Sequence, residues 1–191
     1  MSSPKLTDTE KWNRYKSGDD QVLSAIYTDN ARILYQYGLK FTSNHSIIED
    51  AIQDLFSKLL ADRKNIGDTD SIKFYLLISF KRRLIRLLKR ELRYDHSFNS
   101  DDYVFGVRYS IEHDIILDEH QHSKASLLIK LLKDLSTHQK EGIYLRFTLG
   151  LTYDEISKFL DMNIESSRNL IYRAIKSLKN SIEEKSGSGI Y

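Results

Sequence analysis

Cysteine is absent from the 191 residues and proline occurs once. Without cysteine there can be no disulfide framework, no thiolate nucleophile and no cysteine-ligated zinc, so stability must come from packed apolar faces. With 40% hydrophobic and 29% charged residues the composition is that of a globular chain, neither disordered nor fibrous. No apolar run approaches the roughly 18 residues needed to cross a bilayer. The polar opening MSSPKLTDTEKWNR also lacks the apolar core of a secretion signal. A cytoplasmic protein with no direct membrane insertion is expected. The eight glycines are scattered, and no glycine-rich phosphate loop, G-x-S-x-G or H-E-x-x-H pattern is present. An enzyme is therefore not expected, and no cofactor is implied. His113, His120 and His122 with Asp114, Asp118 and Glu119 are metal-ligand types, but they lack the regular spacing of a built site, so no metal is expected.

The net charge of +2 is a cancellation. Residues 1–92 hold 16 basic against 12 acidic residues, residues 93–123 hold 2 against 7, and residues 124–191 hold 11 against 8. Two basic blocks around an acidic middle suggest two polyanion-facing domains joined by a segment that is not one.

Apolar residues recur at three- and four-residue spacing and sustained alternation is missing, so the fold class expected is all-α. Ser/Thr followed three residues later by Glu/Gln marks helix starts at Thr7/Glu10, Ser46/Glu49, Ser136/Gln139 and Thr152/Glu155. The N-terminal domain, 1–92, then carries helices near 7–17, 19–42, 46–61 and 71–92, the last two joined by the polar loop ADRKNIGDTD. Residues 93–123 form an acidic linker. The C-terminal domain, 124–183, carries helices near 124–134, 137–149, 153–160 and 164–183, and 184–191 is a flexible tail.

The strongest local pattern is LTYDEISKFLDMNIESSRNLIYRAIKSLKN, residues 151–180. A short helix with Ile156, Phe159 and Leu160 is followed by the turn Asp161-Met162-Asn163 and a longer helix that Asn163 can cap and Glu165 can complement. Ile164, Ile171, Ala174, Ile175 and Leu178 form the expected buried stripe. Opposite lie Arg168, Asn169, Tyr172, Arg173, Lys176 and Lys179. An apolar back with an Arg/Asn/Lys front suits a major groove, where Arg pairs with guanine, Asn with adenine and Lys with phosphate.

Residues 127–180 resemble the promoter-binding fourth region of bacterial sigma-70-type RNA polymerase sigma factors, most of all the small extracytoplasmic-function (ECF) group. Gly150-Leu151, Tyr153-Asp154-Glu155-Ile156 and Arg173-Ala174 occupy the places of that pattern. DAIQDLF, residues 50–56, is similar to the family's D-x-x-Q-D/E-x-F signature, which docks on the clamp helices of the polymerase's largest subunit. Asp50, Gln53, Asp54 and Ser57 share one helix face there, with Ile48, Ile52, Leu55, Phe56 and Leu59 on the core side. FYLLISFKRRLIRLLKREL resembles the segment that melts and holds the minus-10 element. Seven basic residues between 81 and 93 stand against Glu91 alone, with Arg82, Arg86, Lys89 and Arg93 in a narrow arc and Phe80, Leu84, Leu87 and Leu88 opposite. Such self-repulsion finds its natural counterion in a phosphate backbone.

The resemblance further implies that the loop at about 62–70 receives a flipped-out base, to which Arg63, Lys64 and Asn65 could contribute. It implies that the linker threads into the polymerase, where acid could occupy a cationic channel; a soluble spacer fits equally well. It implies three partners: core RNA polymerase, promoter DNA and a cognate anti-sigma factor. Two departures bear on promoter sequence: Lys81-Arg82 stands where the family commonly has Arg-Asn, and Leu170 where many members have Arg. The resulting expectation is a non-catalytic ECF-type sigma factor that binds core polymerase and directs promoter-specific initiation. Lys64, Asn65, Lys81, Arg82, Arg86, Lys89 and Arg93 would handle the minus-10 element, and Arg168, Asn169, Tyr172, Arg173 and Lys176 the minus-35 element. A stand-alone helix-turn-helix regulator and a sigma-like interaction module without promoter activity are the competing readings.

Overall fold

The computed structural model describes residues 6–92, 105, 131–132 and 134–187. Among these every regular element is helical, as the apolar periodicity requires. The chain divides into two units, Met1–Tyr103 and Val104–Tyr191.

In the N-terminal unit the elements are α1 (Asp8–Lys16), α2 (Asp20–Gly38), α3 (His45–Ala61), a single 3-10 turn (Arg63–Asn65) and α4 (Ile72–Leu92). Thr7 and Glu10 form the expected capping box, the Glu10 carboxylate accepting the Thr7 backbone N–H at 2.8 Å. Those bonds to Thr7, backbone first, hold the Glu10 carboxyl below the usual range. Asp19 caps α2 through the N–H groups of Gln21 and Val22 and accepts Arg14 at 2.6 Å. The start of α3 differs from the sequence reading: Asn44, not Ser46, is the cap, accepting the Ile47 N–H at 3.4 Å. The reason is local and tertiary at once. Asn44 is held extended because its N–H donates to Thr42 Oγ1 at 3.0 Å and its amide donates to Glu91 of α4 at 3.2 Å.

Trp12, Tyr15, Leu34, Tyr37, Leu76 and Phe80 are among the fully buried side chains of this unit. α2 can reach α3 and α4 where it ends because residue 38 is glycine. A Cβ there would lie 2.8 Å from Cγ2 of Ile48 and 3.1 Å from Cζ of Phe80.

The C-terminal unit contains α5 (Thr137–Ile143), a π-helical turn (Tyr144–Thr148), α6 (Tyr153–Phe159) and α7 (Ile164–Gly187). Capping boxes at Ser136/Gln139 and Thr152/Glu155 start α5 and α6 as expected. The helix expected to run to 149 widens after Ile143. Its last turn buries Leu145 and Leu149 while turning Phe147 outward, 63% exposed. Gly150, at φ +69°, ends it in the left-handed region open to glycine. Helix α7 extends four residues past 183, into the segment read as a tail, and meets no breaker before Gly187. Of the segment read as linker only Phe105 is described; it is fully buried, its ring 5.7 Å from that of Tyr144. Apart from Leu131, Leu132 and Asp134, the expected helix at 124–134 lies outside the described residues.

Candidate functional site

On α3 the period of 3.6 sorts the side chains cleanly. Ile48, Ile52, Leu55, Phe56 and Leu59 are buried, while Asp50, Gln53, Asp54 and Ser57 are all exposed along one face. Two apolar groups accompany that face that sequence reasoning missed: Leu60, 53% exposed, and Tyr27 of α2, 47% exposed and set edge-on to Phe56 at 4.9 Å. Leu60 was hidden by its neighbour, since Leu59 already fills the core position in an apolar pair.

Helix α4 buries Phe80, Leu84 and Leu88 and half-buries Leu87. Arg82, Arg86 and Lys89 are exposed, Lys81 is half-buried, and Arg93 lies outside the described residues. Between the end of α3, the following loop and α4 is a cavity of about 260 Å³. Its walls are Leu55, Lys58, Leu59 and Asp62 from α3 and its cap, Ile66 from the loop, and Tyr75, Ser79, Arg82, Arg83 and Arg86 from α4. Lys58 and Asp62 pair across 3.7 Å at its rim. Three arginines and Lys58 against the single carboxylate of Asp62 give the lining a basic excess, a setting for an anionic or hydrogen-bond-rich ligand.

The structure redistributes the loop residues. Lys64 and Asn65 are exposed on the 3-10 turn and do not line the cavity. Arg63 is turned inward. It pairs with Asp20 and lies over the Tyr15 ring, 5.3 Å from its centroid. The Asp20 hydrogen bond is the main reason its pKa is raised. Its Nε is buried without a hydrogen-bond partner. Arg63 thus fastens the loop to α1 and α2 instead of facing a ligand. Arg83 and Ser79, which sequence reasoning passed over, line the cavity instead. They fall with Arg82 and Arg86 at i, i+3, i+4 and i+7 from Ser79, the rule that would have found them had the arc been centred on the cavity.

In the C-terminal unit α6, the turn and α7 form a helix-turn-helix. Asp161 takes φ +53° to make the turn, and Asn163 caps α7 by accepting the Ser166 N–H at 2.7 Å. Ile171 and Ala174 are buried beneath α7 as expected, but Ile164 and Ile175 are 40% and 44% exposed. The core place nearest α6 belongs to Ser167, fully buried, whose hydroxyl lies 3.1 Å from the Tyr153 carbonyl and 2.7 Å from that of Ile164. A small residue lets the helices close there, and that rotation leaves the two isoleucines at the edge. Outward stand Arg168, Asn169, Tyr172, Arg173 and Lys176, all exposed. Arg168 is steadied by Glu165 at 3.7 Å and by the Tyr153 ring at 5.8 Å. The same ring carries Arg146 at 4.7 Å.

These features have a known counterpart: residues 125–178 match the family model for sigma-70, region 4. The C-terminal unit is thus similar to sigma-70 region 4. That match bears out the resemblance drawn from residues 127–180. The fold of the chain is also that of two solved proteins, one of them a sigma factor. It superposes on CnrH, solved in complex with the cytosolic domain of CnrY, with a TM-score of 0.61 at 15% identity, covering 93% of this chain and 97% of that one. It superposes on the sigma factor RpoE of Bartonella quintana, solved with the anti-sigma factor NepR, with a TM-score of 0.58 at 19% identity, covering 86% and 96%. Comparison with curated proteins gave no match in sequence. Among the described residues no helix is long and apolar enough to cross a membrane, and no group of three or more His, Asp or Glu is placed to hold a metal ion. The linker histidines lie outside the described residues.

Proposed function

We propose that this protein is a sigma factor of the ECF type, that it docks on core RNA polymerase through the α3 face around Asp50, Gln53, Asp54 and Ser57, and that it directs initiation at two-part promoters. The observation that carries the reading is the α7 front. Five exposed side chains of groove-reading type project from a helix fixed by a tight turn, in the domain that matches region 4. In the upstream element Arg168, Asn169 and Arg173 read base edges, while Tyr172 and Lys176 hold backbone. In the downstream element Lys81, Arg82, Arg86 and Lys89 neutralise phosphates of the melted strand, as Arg93 also would. The cavity receives one extruded base, with Lys64 and Asn65 outside it on the strand's approach. Extrusion costs a few kcal/mol of stacking, which hydrogen bonds from Ser79 and the three arginines offset.

Both similar structures were solved with a bound partner, one named as an anti-sigma factor. A cognate inhibitor that covers these faces fits this chain as well. The exposed Leu60 and Tyr27 beside the acidic row supply the apolar anchors on which such interfaces depend. Run-off transcription with purified core polymerase tests the proposal: initiation that requires both the chain and a specific promoter is expected. Specific duplex binding by the free chain with no initiation would overturn it in favour of a stand-alone regulator.

A further inference from the structure

Helix α1 contacts all three elements that bound the α3–α4 cavity: α3, the loop and α4. The indole N–H of Trp12 donates to the Gly67 carbonyl at 2.9 Å, next to the lining residue Ile66. The Trp12 ring lies 4.9 Å from that of Tyr75, which lines the α4 side. The Tyr15 hydroxyl donates to the carbonyl of Leu59, on the α3 side. Beyond the aromatic pair, Lys16 meets Asp68 at 2.5 Å, and Asp8 accepts the Ile72 N–H at the start of α4 at 2.9 Å. Trp12 itself is 1% exposed, so it cannot be in contact with any ligand.

We infer that α1 sets the shape of the cavity, with Trp12 as the positioning residue that fixes the loop against α4 and thereby determines which base the cavity accepts. The inference rests on the proposed role of the cavity in melted-strand recognition. Its physical basis is the contrast between the parts. The loop from 66 to 71 has no helical hydrogen-bond ladder of its own, so its position depends on bonds made to it by rigid neighbours. The indole supplies one such bond from a helix more than fifty residues away in sequence. A cavity whose lining shifts by about 1 Å loses discrimination more readily than it loses binding.

The experiment uses the full chain with core RNA polymerase. The templates form a set in which each non-template base of the melted element is replaced in turn by the other three. The readout is the ratio of initiation between the best and worst base at each position. That ratio does not depend on how much of a preparation is active, so a merely destabilised variant leaves it unchanged. For Trp12→Phe, which keeps an aromatic ring on Tyr75 but removes the donor, the ratio is expected to fall about fivefold at one position, the worth of one ordinary hydrogen bond. Affinity for core polymerase should stay at the wild-type value. Lys16→Met cuts a surface contact to the same loop and is expected to lower the same ratio about twofold; it decides the matter if Trp12→Phe does not fold. Unchanged ratios in the folded variants, or a uniform loss across all templates, overturn the inference. A wild-type chain that supports no initiation at all overturns the underlying reading instead.

Discussion

Gly38 closes α2 at the point where it meets α3 and α4, and replacing it by alanine sets two effects of known size against each other. A Cβ at this position would stand 2.8 Å from Cγ2 and 3.1 Å from Cγ1 of Ile48, and 3.1 Å from Cζ of Phe80. Neither neighbour can yield by swinging into solvent, because both are fully buried. Inserting a methyl group into so tight a place costs about 1–3 kcal/mol. The gain from removing a helical glycine is at most about 1 kcal/mol, and less at a helix end. The clash wins, leaving a net loss of about 1–2 kcal/mol. In a unit of this size that corresponds to a fall in melting temperature of about 5–10 °C. Thermal denaturation followed by the emission of Trp12, the single tryptophan, reports on this unit. Gly67→Ala is the matched control, since no atom lies within 4 Å of its Cβ; it should be neutral or slightly stabilising. A Gly38→Ala protein as stable as wild type would refute the packing account. It would mean that α2 can move off Ile48 and Phe80 at little cost, and that the outward faces of α3 and α4 are not held in fixed register.

Three further outcomes are expected. Burial pushes the Tyr144 hydroxyl up to about 12 from 10.0. The unfolded chain therefore releases a proton in that range that the folded chain keeps, and the stability this group contributes is complete below pH 10 and is lost as pH rises toward 12. The loss is at most about 3 kcal/mol, and Tyr144→Phe should flatten it in denaturant titrations. Asp54→Arg should weaken assembly with core polymerase at least about tenfold by placing a cation where a basic partner surface is expected, measured by competition against labelled wild type. Arg173→Ala should reduce initiation about tenfold on the preferred upstream element and much less on templates altered at its base, in parallel transcription reactions.

The order and type of the elements were legible because the signals were local. Three capping boxes, at Thr7, Ser136 and Thr152, stand where spacing put them. The departures occur where a distant partner decides. Ser46 and Asn44 are both good caps in isolation, and Glu91, 47 residues further on, holds the amide that favours Asn44. Ile164 and Ile175 satisfy the apolar period, yet Ser167 is the residue beneath them, because close approach of α6 and α7 needs a small side chain with a hydroxyl that can bond the Tyr153 carbonyl. Periodicity counts apolar residues and cannot see that a polar one fits better.

The candidate site shows the same limit more sharply in its arginines. Arg63 and Arg83 flank one loop region, and by type and charge nothing distinguishes them. Arg63 is drawn inward by Asp20 and the Tyr15 ring, partners supplied by α1 and α2, and is spent on holding the chain. Arg83 lines an open cavity with Arg82 and Arg86. A guanidinium beside a carboxylate and an aromatic face has its charge satisfied within the fold. One that shares a lining with two other arginines and a single carboxylate is left with charge that an anion or water can complete. Basic residues in a sequence therefore mark where polyanion contact can occur, and the carboxylates around each one decide which of them make it. Applied here, this criterion separates Arg63, paired with Asp20, from the cavity-lining Arg82, Arg83 and Arg86, while Lys64 and Asn65 are set apart by position, since they do not line the cavity that under the proposed function would take an extruded base.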